Sequence, residues 1–193
     1  MIRIPQELVD AIVDGVAEAR SMKSCALVAS KFRNPSQRIL LRSLTIKCGY
    51  KEQERSNYGA LSSLLSESPH IAQHVKRLTL KLPAGQKDLQ DVEILQRVLA
   101  RMTRVKHCSI NGTYIRDTRW STLSASLASA VLDFITRQGL HSLAVACLED
   151  LPNAVLLRLM TFVPRISLSY VLRGEHKSTT IADFHPYHHR YSA

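Results

Sequence analysis

Glycine is scarce: the chain holds 7 in 193 residues. None stands in a GxxxxGK[ST] loop or a GxGxxG turn, and no GxSxG elbow occurs. Loops that cradle phosphates with backbone N–H groups therefore have no foothold, and no enzymatic activity of the chain's own is expected. Aromatics are only 6%, with a single Trp and no RNP-type aromatic run. No apolar stretch approaches the roughly 20 residues that span a bilayer. Pro5 and Glu7 stand where a secretory signal needs an apolar stretch. The expected setting is intracellular, cytoplasmic or nuclear, with no membrane contact. Cys25, Cys48, Cys108 and Cys147 lie far apart with no CxxC pair. That excludes a zinc-ribbon or thioredoxin-like motif and leaves reduced core thiols. Asn111-Gly112-Thr113 fits the glycosylation pattern, but a chain without a signal does not meet that machinery. His185, His188 and His189 cluster beside Tyr187 and Tyr191, yet no nearby carboxylate or Cys completes a ligand set. They read as a polar tail, and neither a metal nor a cofactor is expected.

Positive charge, by contrast, is abundant. Lys and Arg number 26 against 16 Asp and Glu, a net charge of +10. The balance is −2 over residues 1–20, +6 over 21–60, +4 over 61–107 and +2 over 108–193. Such a field speeds encounters with any acidic partner, nucleic acid or protein. The basic stretch from Lys23 to Arg55 keeps nucleic-acid binding as an alternative function. Genuine phosphate binding would weaken steeply as salt rises.

Residues 6–19 carry a helical pattern, with Pro5 suited to the helix start. Leu8, Ile12 and Val16 form one i, i+4 row, Val9, Val13 and Ala17 the next, and Glu7, Asp10, Asp14 and Glu18 fall opposite. A second helix is predicted from Ser21 as cap to Arg33, with Cys25, Val28, Ala29 and Phe32 inward. Asn34-Pro35 then reads as the cap and first position of a short third helix through Leu41. Three such helices barely bury their own apolar faces and need a neighbour or a partner.

Ile4-Pro5-Gln6-Glu7-Leu8-Val9-Asp10-Ala11-Ile12-Val13 resembles the opening of an F-box, Leu-Pro-x-Glu-Leu. Cys25-Ala26-Leu27-Val28-Ala29-Ser30-Lys31-Phe32-Arg33 resembles its second conserved stretch. The resemblance implies that residues 1–41 bind a Skp-type adaptor and, through it, a cullin-based ubiquitin ligase. On this mapping Ile4, Pro5, Leu8, Ile12, Val28 and Phe32 take the apolar F-box positions, with Pro5 and Leu8 on the adaptor face. Arg20-Ser21-Met22 replaces the usual Asp-Leu opening of the second helix, and Leu40-Leu41 stands near the family's late Trp.

A six-residue pattern recurs further on, with apolar residues at its first, fourth and sixth positions. Its copies are Leu41–Ile46, Val75–Leu80, Val105–Ile110, Leu140–Val145 and Val163–Leu168. The steps between them are 34, 30, 35 and 23 residues. The end of each copy alternates like a strand. Helical spacing fills the gaps: Leu61, Leu64 and Leu65; Val92, Leu95, Leu99 and Met102; Trp120, Leu123, Leu127, Val131 and Phe134 up to Gly139; and Val155, Leu156, Leu159 and Met160 after Pro152. Strand–helix units at this period resemble an irregular leucine-rich-repeat solenoid over residues 42–172, with a parallel sheet. A compact α/β domain with a parallel sheet is the alternative. Residues 173–193 read as a tail with Phe184 and Tyr187 as anchors, and residues 49–59 as a loop.

An F-box followed by irregular leucine-rich repeats resembles a large class of fungal F-box proteins. Residues 97–108 and Leu148-Glu149-Asp150-Leu151-Pro152 share that flavour. The resemblance implies a target-recruiting receptor subunit. The in-between strand positions point to the uncovered sheet face. Their central member is small in each copy: Thr45, Thr79, Ser109, Ala144 and Ser167. A shallow trough results, bordered by Lys47, Arg77, Lys81, His107 and Arg165, which suits an acidic or phosphorylated segment of a target protein. A repeat scaffold with a decayed F-box is a further alternative.

Overall fold

A computed structural model describes residues 5–16, 18–28, 30–47, 57–83, 89–112 and 118–173. The order is α1 (Gln6–Asp14), α2 (Ala19–Val28), α3 (Ser30–Leu40), β1 (Ser43–Lys47), α4 (Tyr58–Glu67), a 3-10 turn (Pro69–His74), β2 (Arg77–Lys81), α5 (Leu89–Arg101), β3 (His107–Asn111), β4 (Thr118–Arg119), a second 3-10 turn (Trp120–Thr122), α6 (Ala125–Gln138), β5 (Ser142–Leu151), α7 (Asn153–Phe162) and β6 (Ile166–Arg173). The molecule is α/β, with every strand pairing parallel.

All five copies of the six-residue pattern end in strands, and they sit in register. Thr45 lies opposite Thr79, Thr79 opposite Ser109, Ser109 opposite Ala144 and Ala144 opposite Ser167. Each strand lies beside the next copy's strand, with the short β4 alongside the far half of β5. Alternation sends the fourth and sixth pattern positions to one face. There Ile46, Leu78, Leu80, Cys108, Ile110, Leu143 and Val145 join helix residues such as Leu65, Leu95, Leu99, Val131 and Phe134 in one buried cluster. Fully burying side chains of this kind contributes about 1.5–3 kcal/mol each. The first pattern position is buried too in Val75, Val105, Leu140 and Val163.

Carbonyls at the second position staple the copies together. The Arg42 oxygen accepts the N–H groups of Lys76 and Arg77, both at 2.9 Å. Lys76 accepts from Lys106 (2.9 Å) and His107 (3.1 Å), and Lys106 from His141 (2.7 Å) and Ser142 (3.3 Å). The fifth copy has Pro164 at the second position, which offers no N–H. Here the bond runs the other way, from Leu143 N–H to the Arg165 carbonyl at 2.9 Å.

The sheet's first edge is blocked by a side chain. Asn57 accepts from Lys47 N–H (2.8 Å) and donates to the Thr45 carbonyl (2.8 Å), so its amide imitates a neighbouring strand. At the other end, β5 bends. Cys147 (φ 55°) and Asp150 (φ 48°) adopt left-handed backbone within it, and the pairing with β6 shifts between Leu148 and Leu151. Asp150 accepts from the Ser121 N–H at 3.2 Å and from its hydroxyl, and Arg119 pairs with Glu149 at 3.2 Å. Gly112 donates to the Ala146 carbonyl at 2.8 Å against this bend.

The helices depart from the predicted bounds in several places. Helix α1 stops at Asp14, with Gly15 as its C-cap, rather than running to 19. The second helix is described as far as Val28 and the third from Ser30, and Pro35 lies inside α3 rather than opening it. Pro35 is buried in α3, which packs against α1 and α2, and that packing outweighs one missing N–H. Trp120 and Leu123 precede α6, because Ser124 caps it by accepting from Leu127 N–H at 3.3 Å. Gly139 ends it in the left-handed region at φ 57°, where other residues are strained. Met160 does not face the core; it is 59% exposed on α7. Tyr58 and Gly59 belong to α4 and not to a loop, Tyr58 being buried, while 49–56 lie outside the described residues. Arg173 closes β6 rather than starting a tail, and 174–193, including the His185, His188 and His189 cluster, lie outside the described residues.

Candidate functional site

Two surfaces carry the candidate residues. The first is the N-terminal helices, where α1 and α2 each pack on α3. Val9, Val13 and Met22 are buried there, apart from the main cluster. An α1 with two adjacent apolar rows can bury only one of them against a single neighbour. Val9 and Val13 take the inside, and Leu8 and Ile12 stay 56% and 51% exposed. Pro5 is exposed at the N-cap of α1. Phe32 is half-buried in α3. Ile4 lies outside the described residues.

Val28 corrects the inward assignment: it is 78% exposed, because α2 buries its Met22 face instead. Its neighbour Leu27, 86% exposed, is the residue that sequence reasoning missed. The signal was available, since the polar residues of α2 leave Leu27 off the Met22 face. Leu8, Ile12, Leu27 and Val28 thus form an apolar set on two helices that their own core does not use. Asp10 pairs with Arg38 at 3.9 Å, tying α1 to α3; exposed as it is, that pair contributes little.

The second surface is the open face of the sheet. Cross-strand pairing arranges the in-between positions in three rows. The first runs Ser43, Arg77, His107 and Ser142, with Arg165 directly before β6. The middle row is the small one, Thr45 to Ser167. The third runs Lys47, Lys81, Asn111, Ala146 and Ser169. Lys47, Arg77, Lys81, His107 and Arg165 are all exposed. The pairing therefore brings Lys47 against Lys81, and Arg77 against His107, on adjacent strands. His107 Nδ1 shares a 2.8 Å hydrogen bond with Ser142 Oγ, and its ring meets that of His141 edge-on at 6.2 Å. Ser109 donates to Asn111 Oδ1 at 2.9 Å.

Cationic crowding also marks the N-terminal ends of the strands. Desolvation holds the His74 imidazole below its ordinary 6.5, and the nearby His70, Arg38, Lys76 and Arg104 add to the depression. Its Nε2 is buried without a hydrogen-bond partner. A lowered folded-state value means that the unfolded chain takes up the proton more readily. Stability from this group is present above pH 6.5 and is lost as pH falls below it toward the folded value. Denaturant titrations of the protein and of His74→Asn should diverge below that pH, the variant losing less. Parallel curves would show that His74 does not set the slope.

The cysteines divide by burial. Cys108 sits in the core with its thiol pushed up to about 12 by desolvation, so it is not a nucleophile. Cys25 is half-buried and Cys147 buried, both as free thiols. Cys48 lies outside the described residues. Among the described residues no group of three or more His, Cys, Asp or Glu side chains is placed to hold a metal ion, and no helix is long and apolar enough to cross a membrane.

No family model matches the chain, and no curated protein matches it.

Proposed function

We propose that the chain is the target-recognition subunit of a cullin-type ubiquitin ligase, an F-box protein whose residues 42–172 form an irregular leucine-rich-repeat-like solenoid. The observation that carries this reading is the apolar set Leu8, Ile12, Leu27 and Val28. These side chains are 51–86% exposed on helices already stabilised by Val9, Val13 and Met22. Four large apolar side chains left in water on so short a helical segment suit a protein interface. A Skp-type adaptor is the partner that fits the F-box resemblance of the same segment. The solenoid reading is supported by five copies stacked in register, each beside the next, with helices on one face. The polar open face then receives an acidic or phosphorylated segment of the target on Lys47, Arg77, Lys81, His107 and Arg165. The subunit performs no chemistry itself. It accelerates transfer by holding the target near the charged enzyme, where effective concentration replaces diffusion.

Co-expression with a Skp-type adaptor at moderate salt tests the reading. A stoichiometric complex is expected, and Leu8→Asp should abolish it, since one carboxylate in an apolar interface costs several kcal/mol, roughly a thousandfold in affinity. A folded protein that never captures the adaptor would remove the ligase assignment. The second reading, a nucleic-acid-binding protein, rests on the net charge of +10. A steep salt dependence of RNA or DNA binding would favour it.

A further inference from the structure

The carbonyl staples have a charged counterpart. The residues at the second pattern position are Arg42, Lys76, Lys106 and His141, and the third position adds Arg77, His107 and Arg165. Hydrogen bonds place them side by side: the carbonyls of Arg42, Lys76 and Lys106 bond to the second- and third-position N–H groups of the next copy, and Leu143 N–H bonds to the Arg165 carbonyl. All are exposed except Lys76, which is half-buried. Strands lie about 4.8 Å apart, so five of them spread these cations over roughly 19 Å along the N-terminal rim of the sheet.

Among the described residues no ion pair neutralises this rim. The segments that build it, 38–43, 68–77, 101–107, 139–142 and 163–165, contain no Asp or Glu. The Arg38–Asp10 and Arg119–Glu149 pairs do not involve the second- and third-position cations, and no described ion pair does. The depressed His74 imidazole, held down partly by Lys76 and Arg104, reports the same concentration of positive charge. Keeping so many like charges together destabilises a fold unless a ligand repays it.

We propose that this rim binds an extended, multiply phosphorylated peptide running across the strands. A peptide advances about 3.3 Å per residue, so some six residues match the 19 Å rim. Phosphate oxygens take charge-assisted hydrogen bonds from Arg, Lys and imidazolium groups lying one strand apart. A nucleic acid fits less well. The same five segments hold no Trp, Tyr or Phe on which bases would stack. The inference rests on the reading of the chain as a receptor for acidic targets and sharpens it. Phosphate recognition then centres on the N-terminal rim, where Arg42, Lys76, Lys106 and His141 join Arg77, His107 and Arg165 of the open face.

The test is fluorescence anisotropy with the full chain. The probes are a synthetic peptide of about twelve residues carrying two phosphoserines among glutamates, its unphosphorylated twin and an oligouridine of similar charge. The phosphopeptide should bind at least about tenfold tighter than the other two. Lys76→Glu with Lys106→Glu should weaken it by more than about tenfold, the loss of two charge-assisted bonds. Arg97→Glu with Arg158→Glu, an equal change in net charge at exposed residues of α5 and α7, should leave it within about threefold. Equal losses from this pair and the rim pair would mean a response to overall charge and would overturn the rim. Loss from Lys47→Glu with Lys81→Glu and none from the rim pair would return recognition to the trough. Tighter binding of the RNA would replace the peptide with a nucleic acid. Adaptor capture is scored separately through Leu8, so failure of the ligase reading leaves this result distinct.

Discussion

Gly112→Ala should lower the melting temperature by roughly 10 °C, an effect of about 4 kcal/mol at a few degrees per kcal/mol for a domain of this size. A Cβ at this position would stand 1.7 Å from the Cys147 carbonyl oxygen, 2.8 Å from its carbon and 2.9 Å from Thr118 Cβ. Neither neighbour has room to retreat. Cys147 sits at φ 55° in a strand paired on both sides, and Thr118 is wholly buried against Leu148. The 2.8 Å bond from Gly112 N–H to the Ala146 carbonyl would also be lost as the backbones part. Gly59→Ala is the control. Its Cβ meets nothing within 4 Å in α4, so helix propensity should raise stability by up to about 1 kcal/mol. Thermal melts of the two variants give the comparison. A Gly112→Ala shift under about 2 °C would show that the two backbones do not approach so closely.

Val9→Asp and Leu8→Asp should behave oppositely although they are chain neighbours. Val9 is fully buried with Val13 and Met22, and a carboxylate there is desolvated with no cation facing it from that apolar set. An uncompensated buried charge costs about 3–5 kcal/mol. That is enough to unfold α1 to α3 locally, because few side chains hold them. Leu8 is 56% exposed, and Leu8→Asp should change stability by no more than about 0.5 kcal/mol. Hydrogen exchange read peptide by peptide separates the outcomes. Protection over residues 5–40 should vanish in Val9→Asp while the strands keep theirs, and should persist in Leu8→Asp. Equal loss in both would mean that Leu8 is structural, and its effect on adaptor capture would then say nothing of an interface.

The sheet was legible because its pattern is doubly determined. Two apolar residues flanking a small one recur five times, and burial on one face forces the copies into a single register. A one-residue slip would put Thr79 or Ser109 in the core. The N-terminal helices were less legible. Leu8 with Ile12 and Val9 with Val13 offer equivalent stripes, and only packing on α3 decides which is buried. Propensity misplaced the break near Pro35, where neighbouring contacts outweigh one missing N–H. The bend of β5 left almost no trace. Positive φ at Cys147 goes with the close approach of Gly112, 35 residues away in sequence, and no local pattern carries that dependence. The open-face cations were found in the trough. The second-position cations went unnoticed, because a residue just before a strand has no alternation to announce it.

Asn57 has a consequence for how molecules of this kind meet. Edge-on addition of strand to strand becomes a chain reaction only when every molecule offers two free edges, a donor and an acceptor end. Here the side-chain amide of Asn57 fills the Thr45 and Lys47 groups of β1, so only the β6 side of the sheet is unsealed among the described residues. Two molecules meeting through β6 use up both of their free edges at once. The collision ends as a pair, and among the described residues a filament has no second unsealed edge from which to grow. One asparagine thus works as a chain terminator for polymerisation.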